Sequence, residues 1–227
     1  MLSLLLALFL DAAVALELTP MEVEFESQGT NASKTFQVEN KYAKDIAVEL
    51  KAYKRTINNK GEEARQETNE FLIFPKQVKL QPSKKIAVRV VWQGKADVTS
   101  ELSYRLIAEQ LPVNFRKKDT KEKKVNIDFL LKYVASVYIT PAEAKPNIVI
   151  EKIVKEKDRL KGTLKNLGNK HLVIGKINFS LAGKPLSVDS KEIIGRNILA
   201  EASFDFDCPW PDGLDEQKLN QVRANAD

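Results

Sequence analysis

From Val125 to Pro141 the chain reads VNIDFLLKYVASVYITP. Every odd position up to Ile139 is apolar: Val125, Ile127, Phe129, Leu131, Tyr133, Ala135, Val137 and Ile139. The even positions include Asn126, Asp128, Lys132 and Ser136. A period of two marks a strand with one buried face. About fifteen residues at 3.3 Å each reach roughly 50 Å, whereas an ordinary strand holds about 5–6 residues. The surplus length needs a second surface to pack against.

The same alternation recurs along the chain. MEVEFES (21–27) sets Met21, Val23 and Phe25 on one face, and KTFQVEN does so with Phe36 and Val38. DIAVELKAYKR contributes Ile46, Val48, Leu50 and Ala52, and KIAVRVVWQG contributes Ile86, Val88, Val90 and Trp92. ELSYRLIAEQLP contributes Leu102, Tyr104, Leu106 and Ala108. Turn formers separate these runs: Gly29, Asn58-Asn59-Lys60-Gly61, Pro75, Pro82, Gly94 and Pro112. About seven strands between Met21 and Pro141 predict an immunoglobulin-like sandwich. TPAEAKPN then reads as a short stiff linker, residues 142–146. After it the pattern restarts. NIVIEKIVKE with RLKGTLKN predicts one hairpin, and HLVIGKINFSLAGKPLSV predicts another, with Ala182-Gly183-Lys184 at its turn. ILAEASFDF predicts a further strand. Residues 147–227 therefore form a second, smaller sandwich that looks short of a final strand. DEQKLNQVRANAD is read as helical, frayed or an incomplete edge.

Taken together the fold is all-β, two tandem immunoglobulin-like β-sandwich domains over residues 16–141 and 147–227. The start, MLSLLLALFLDAAVALELTP, carries an apolar run from Leu2 to Leu10 and an Ala13-Val14-Ala15 cleavage pattern. Residues 1–15 are read as a secretory signal, although no Lys or Arg precedes the run and Asp11 follows it. The alternative is a buried N-terminal strand. Loss of residues 1–15 removes one acid and leaves 36 basic against 30 acidic residues, moving the net charge from +5 to +6. Export argues against a nucleic-acid partner, and a charged, solvated surface accounts for most of the lysines, including those of the loop Arg116–Lys124.

One cysteine, Cys208, excludes an internal disulfide, so the cores must hold the fold. It is read as a semi-buried thiol, and the single histidine, His171, as a strand-entry residue. Neither suggests a nucleophile pair or a metal site, so no catalytic residue, metal or cofactor is assigned.

Several local motifs resemble the periplasmic pilus-assembly chaperones, the PapD-like family. FPKQVKLQPSKKIAVRV (74–90) resembles the family segment P-x-x-x-x-L-x-P-G-x-x-x-x-[LIV]-R: Pro75, Leu80, Pro82, Val88 and Arg89 match, and Ser83 stands where Gly is usual. ELSYRLIAEQLP resembles the family's Glu-to-Ile-Pro strand, and its Tyr104-Arg105-Leu106 is similar to the divergent archaic branch. TPMEVEF resembles the first strand of the mature proteins.

The resemblance implies a periplasmic chaperone that binds pilus subunits, incomplete sandwiches lacking their last strand, by donating an edge strand. It implies an outer-membrane usher as second partner, and an apolar donor strand without a client would cap itself in a homodimer. Counting back from Pro141, the donor positions fall on Ile127, Phe129 and Leu131, extended by Val125 and by Tyr133 at the inner end. Val134–Ile139 would stay in the chain's own sheet. Each buried donor side chain contributes roughly 1.5–3 kcal/mol before the cost of association.

The family's basic pair, which grips the subunit's C-terminal carboxylate, is missing. Glu22 stands two residues after Pro20, and Ser136 stands five before Pro141. A carboxylate only accepts hydrogen bonds unless it is protonated, so Glu22 cannot replace an arginine there. Arg89, Arg105 or Lys132 would supply the charge. For Arg89 an ion pair with Glu101 is the favoured role, because the matching family residues pair, which leaves Arg105 and Lys132 as the carboxylate contacts. Two other functions stay open. One is a tandem binding or adhesion module with a fixed partner, expected if the 125–133 strand is paired on both edges. The other is an enzyme, for which no His/Asp/Glu constellation is seen.

Overall fold

The computed structural model describes residues 16–112 and 130–227. Residues 1–15, read as a signal, and Val125, Ile127 and Phe129 of the donor series lie outside the described residues.

The first sandwich holds β1 (Leu16–Thr19), β2 (Glu22–Phe25), β3 (Ser33–Asn40), β4 (Ile46–Ile57), β5 (Glu63–Glu67), β6 (Phe71–Phe74), β7 (Gln77–Leu80), β8 (Lys85–Trp92), β9 (Leu102–Leu111) and β10 (Lys132–Ile139). One sheet runs β1-β3-β8-β6 and the other β2-β10-β9-β4-β5, with β7 also on β4. The alternating apolar positions point between the sheets: Phe36, Val38, Val48, Leu50, Val88 and Leu106 are at most 1% exposed. An aromatic cluster fills one end. Phe71 meets Phe25, Trp92 and Tyr104 edge-on at 5.8, 5.1 and 5.0 Å between centroids, the preferred geometry for rings with negative faces and positive edges. Tyr104 turns its hydroxyl out of this cluster to donate to Glu70 at 2.9 Å.

The first strand of the chain is split. β1 pairs antiparallel with β3 in one sheet. After a cis Thr19–Pro20 bond, β2 pairs parallel with β10 in the other. Met21, expected on the buried face, lies at this crossing and is 47% exposed. Leu16 and Leu18 of β1 are buried in its place.

The second sandwich holds β11 (Ile148–Glu156), β12 (Arg159–Asn166), β13 (Leu172–Val173), β14 (Ile177–Leu181), β15 (Lys184–Leu186), β16 (Asn197–Ile198), β17 (Ser203–Pro209) and β18 (Val222–Ala226). Its sheets run β11-β12-β17, β13-β16 and β15-β14-β18. The expected shortfall at the end is corrected: after a 3-10 turn over Glu216–Gln221, β18 pairs with β14 and buries Val222. Its pattern escaped notice because only one of its five side chains is fully buried. Cys208 is buried, not half-buried, at 1% exposure. Burial, helped by nearby Glu192 and Asp189, pushes its thiol up to about 11. No helix among the described residues is long and apolar enough to cross a membrane.

Candidate functional site

β10 is the strand that raised the length question. On one side it pairs with β9 over its whole length, from Lys132 opposite Glu109 to Ile139 opposite Leu102. On the other side it pairs with β2 only from Ser136 to Ile139. Among the described residues, no strand pairs with the edge at Lys132–Ala135 on that side. Ser136 N–H donates to Met21 O on the β2 side, so alternation turns the backbone groups of Lys132 and Val134 toward the open edge.

The boundary between donor and own sheet differs from expectation. Pairing reaches back to Leu131, whose carbonyl accepts Gln110 N–H at 2.9 Å. Leu131 and Tyr133 are half-buried and pack against the first sandwich's own core. The preceding Leu130 is 50% exposed.

The outward side chains of this sheet form a second feature. Cross-strand register places Glu22, Ser136, Arg105 and Tyr53 in one row. The position where the resemblance asks for a lysine thus carries Ser136, but its direct neighbour on β9 is Arg105. The Arg105 guanidinium donates to Ser136 Oγ at 2.5 Å and to Glu63 Oε2 at 2.5 Å. Arg55, opposite Arg65 across the β4–β5 hairpin, brings Nε within 2.7 Å of Glu63 Oε2, and Arg65 also contacts Glu63. Three guanidiniums therefore surround one carboxylate. Burial pushes the Glu63 carboxyl up. Hydrogen bonds from Arg105 and Arg65 and the charges of Arg105 and Arg55 outweigh burial and hold it at about 2. The hairpin is closed by Asn58, which accepts from Lys60 N–H and Glu62 N–H, and by Gly61 at φ +82, a conformation that favours glycine.

One expected pair is corrected. Arg89 and Glu101 do not meet. Arg89 lies on the outer face of the other sheet and donates to Ser33 Oγ at 2.9 Å. Glu101 faces the second sandwich, where His171 N–H donates to its Oε1 at 3.0 Å and His171 Nδ1 lies 2.6 Å from the same atom; Thr140 donates to Oε2 at 2.9 Å. Lys132, the other candidate for the carboxylate contact, lies apart from Arg105. It pairs with Glu109 at 3.1 Å, and four residues of strand, roughly 13 Å, separate it from Ser136.

His171 enters β13 as expected, but it also joins the sandwiches. Its ring stacks on Tyr138 at 3.8 Å and 7°. Tyr138 OH accepts from Arg55 at 3.3 Å and from Asn197 of the second sandwich at 2.8 Å. The base of β10 is thus tied both to the arginine cluster and to the other domain. Sequence reading missed Arg55, Glu63 and Arg65. The hairpin turn centred on Lys60 was visible, and pairing residues symmetrically about it would have placed Arg55 opposite Arg65. No group of three or more His, Cys, Asp or Glu side chains suited to a metal occurs among the described residues.

Residues 15–145 match the family model for the pili and flagellar-assembly chaperone, PapD N-terminal domain. The structure is similar to a chain of the CsuC–CsuE chaperone–tip adhesion subunit pre-assembly complex from archaic chaperone-usher Csu pili of Acinetobacter baumannii: TM-score 0.57, 16% identity, covering 85% of this chain and 89% of that one. The class 5 fimbriae chaperone CfaA gives TM-score 0.60 and 15% identity over 93% of this chain and 98% of its own. A chain of the Salmonella enterica SafA pilin–SafB chaperone complex gives TM-score 0.56 and 15% identity over 87% and 85%. At these identities the likeness is one of fold. No curated protein sequence matches the chain.

Proposed function

The chain belongs to the pili and flagellar-assembly chaperone family, and from that premise we propose that it holds incompletely folded pilus subunits in the periplasm by lending them the open edge of β10. The observation that carries this reading is the half-paired strand: β9 pairs with all of β10, whereas β2 covers Ser136–Ile139 and, among the described residues, no strand pairs with Lys132–Ala135 on that side. An open edge of this kind invites a strand from another chain. The sequence upstream keeps the same alternation through Val125, Ile127 and Phe129, so a subunit strand placed on this edge would meet a continuous apolar row. Leu131 and Tyr133, already against the chaperone's own core, form the inner end of that row and contribute less than the outer three.

Arg105 takes the part of the missing lysine. It sits directly across from Ser136, which lets a basic residue on β9 address the same spot as one on β10. Its fixed fork of donors suits a terminal carboxylate better than an ammonium would. The outer-membrane usher is the partner to which the complex would be delivered. Without a client, the same edge would pair with a second copy.

The test is co-purification from the periplasm of wild type and an Ile127→Asp, Phe129→Asp double variant. Strand donation requires a small β-rich subunit with wild type, lost with a variant that keeps its β circular-dichroism spectrum. The same partner retained on the variant, or none on either protein, refutes it and leaves a tandem binding module with a fixed partner.

A further inference from the structure

The arginine cluster carries more positive charge than its one carboxylate offsets. Arg55, Arg65 and Arg105 all contact Glu63, and among the described residues Glu63 is the one carboxylate in ion-pair contact with any of them. Arg55 is 7% exposed. Its Nε, although 2.7 Å from Glu63 Oε2, has no hydrogen-bond acceptor in usable geometry. A buried guanidinium donor left unmet is costly. Arg105 remains 16% exposed at the side chain and Glu63 18%, so the cluster is reachable from solvent. Hydroxyls line its β10 side: Ser136 Oγ on Arg105 and Tyr138 OH on Arg55.

We propose that Arg55, Arg65 and Arg105 form an anion site for an external carboxylate, and that Glu63 occupies it in the resting chain as an internal competitor. The client-side part rests on the reading of Arg105 given above; the competition does not. Glu63 is held by contacts to all three arginines, on a short strand whose pattern is exposed at four of five positions. An incoming carboxylate would take the Arg105 fork and the free Arg55 donor while Glu63 keeps Arg65. Arg65 is the most exposed of the three, at 38% of its side chain, and lies at the outer edge of the sheet. The incoming carboxylate takes over donors that Glu63 already meets, so the exchange itself gains few new hydrogen bonds. The site would therefore discriminate by geometry, and hold a ligand only when other contacts, such as a paired strand, add to the bond.

The experiment titrates acetate, against chloride at equal ionic strength, into full-length wild type, Glu63→Gln and Glu63→Gln/Arg105→Leu, read by calorimetry. The expected result is acetate binding at least about tenfold tighter for Glu63→Gln than for wild type, lost again in the double variant. Equal affinity of Glu63→Gln and wild type overturns the proposal. If Glu63→Gln fails to fold, Glu63→Asp keeps the charge on a shorter arm, and its acetate affinity must also exceed wild type; no gain there overturns it equally. Two sources of carboxylate are separated by washing the co-purified client complex with acetate. Release assigns the site to the client's terminus. Retention of the client with acetate bound assigns it to a free anion, with Glu63 still the competitor. A missing client in the co-purification leaves the acetate titration readable, so failure of strand donation and failure of this inference are distinct.

Discussion

Protonating Glu63 removes the one negative charge that, among the described residues, contacts the three arginines. Its carboxyl is held at about 2 against the usual 4.5. A depressed folded value stabilises the fold above the unfolded value, and that stability is lost as pH falls through the folded one, here between about pH 5 and pH 2. At about 1.36 kcal/mol per pH unit the upper bound is about 3.4 kcal/mol. The Glu63 side chain is 18% exposed, and solvent screening reduces this to about 1.5–2.5 kcal/mol. The perturbation is Glu63→Gln, which is neutral at every pH. Urea unfolding is followed by Trp92, in the first core, with Trp210→Phe as background so that the second domain is silent. Wild type is expected to exceed the variant by about 1.5–2.5 kcal/mol at pH 7 and by nearly nothing at pH 2. Other carboxylates cancel in the difference, and chloride buffers avoid competing anions. A gap that stays constant from pH 7 to pH 2, or is absent at pH 7, refutes the electrostatic account of the cluster.

Two further outcomes are expected. Glu101→Ala strips the acceptor from His171 N–H, His171 Nδ1 and Thr140 in a place where the side chain is 1% exposed; breaking so buried a contact costs about 3–5 kcal/mol and should loosen the two domains, seen as a larger radius of gyration in X-ray scattering, whereas an unchanged radius and urea midpoint would deny the contact this role. Cys208, with its thiol pushed up to about 11 by burial, should not react with a disulfide reagent at pH 8 until the protein unfolds, and prompt reaction in native buffer would contradict its burial.

One-sided burial leaves a period-two trace in the sequence, and that trace located β3, β4, β8, β9, β10, β11 and β12 before any coordinates. The family resemblance was strongest over residues 74–141, and the family model covers them. What escaped was of three kinds. β18 escaped because a strand that buries one residue in five leaves little pattern. Arg89 and Glu101 were paired by resemblance, but Arg89 sits on β8 in one sheet and Glu101 just ahead of β9 in the other. Arg89 is solvated, and Glu101 is claimed by His171, 70 residues away, a partner that no spacing rule names. Arg55, Glu63 and Arg65 were missed because they meet Arg105 only through the pairing of β4, β5 and β9.

By itself the sequence determined the all-β class, the faces of most strands and the unusual length of the alternating run before Pro141, because these depend on local periodicity and turn residues. Only the tertiary structure decided how far β2 covers β10, that Arg105 stands across from Ser136, and that three arginines meet on Glu63. Those depend on register between strands far apart in the chain, where a shift of one residue sends every side chain to the other face, and on long side chains whose direction is set by neighbours that the local sequence does not contain.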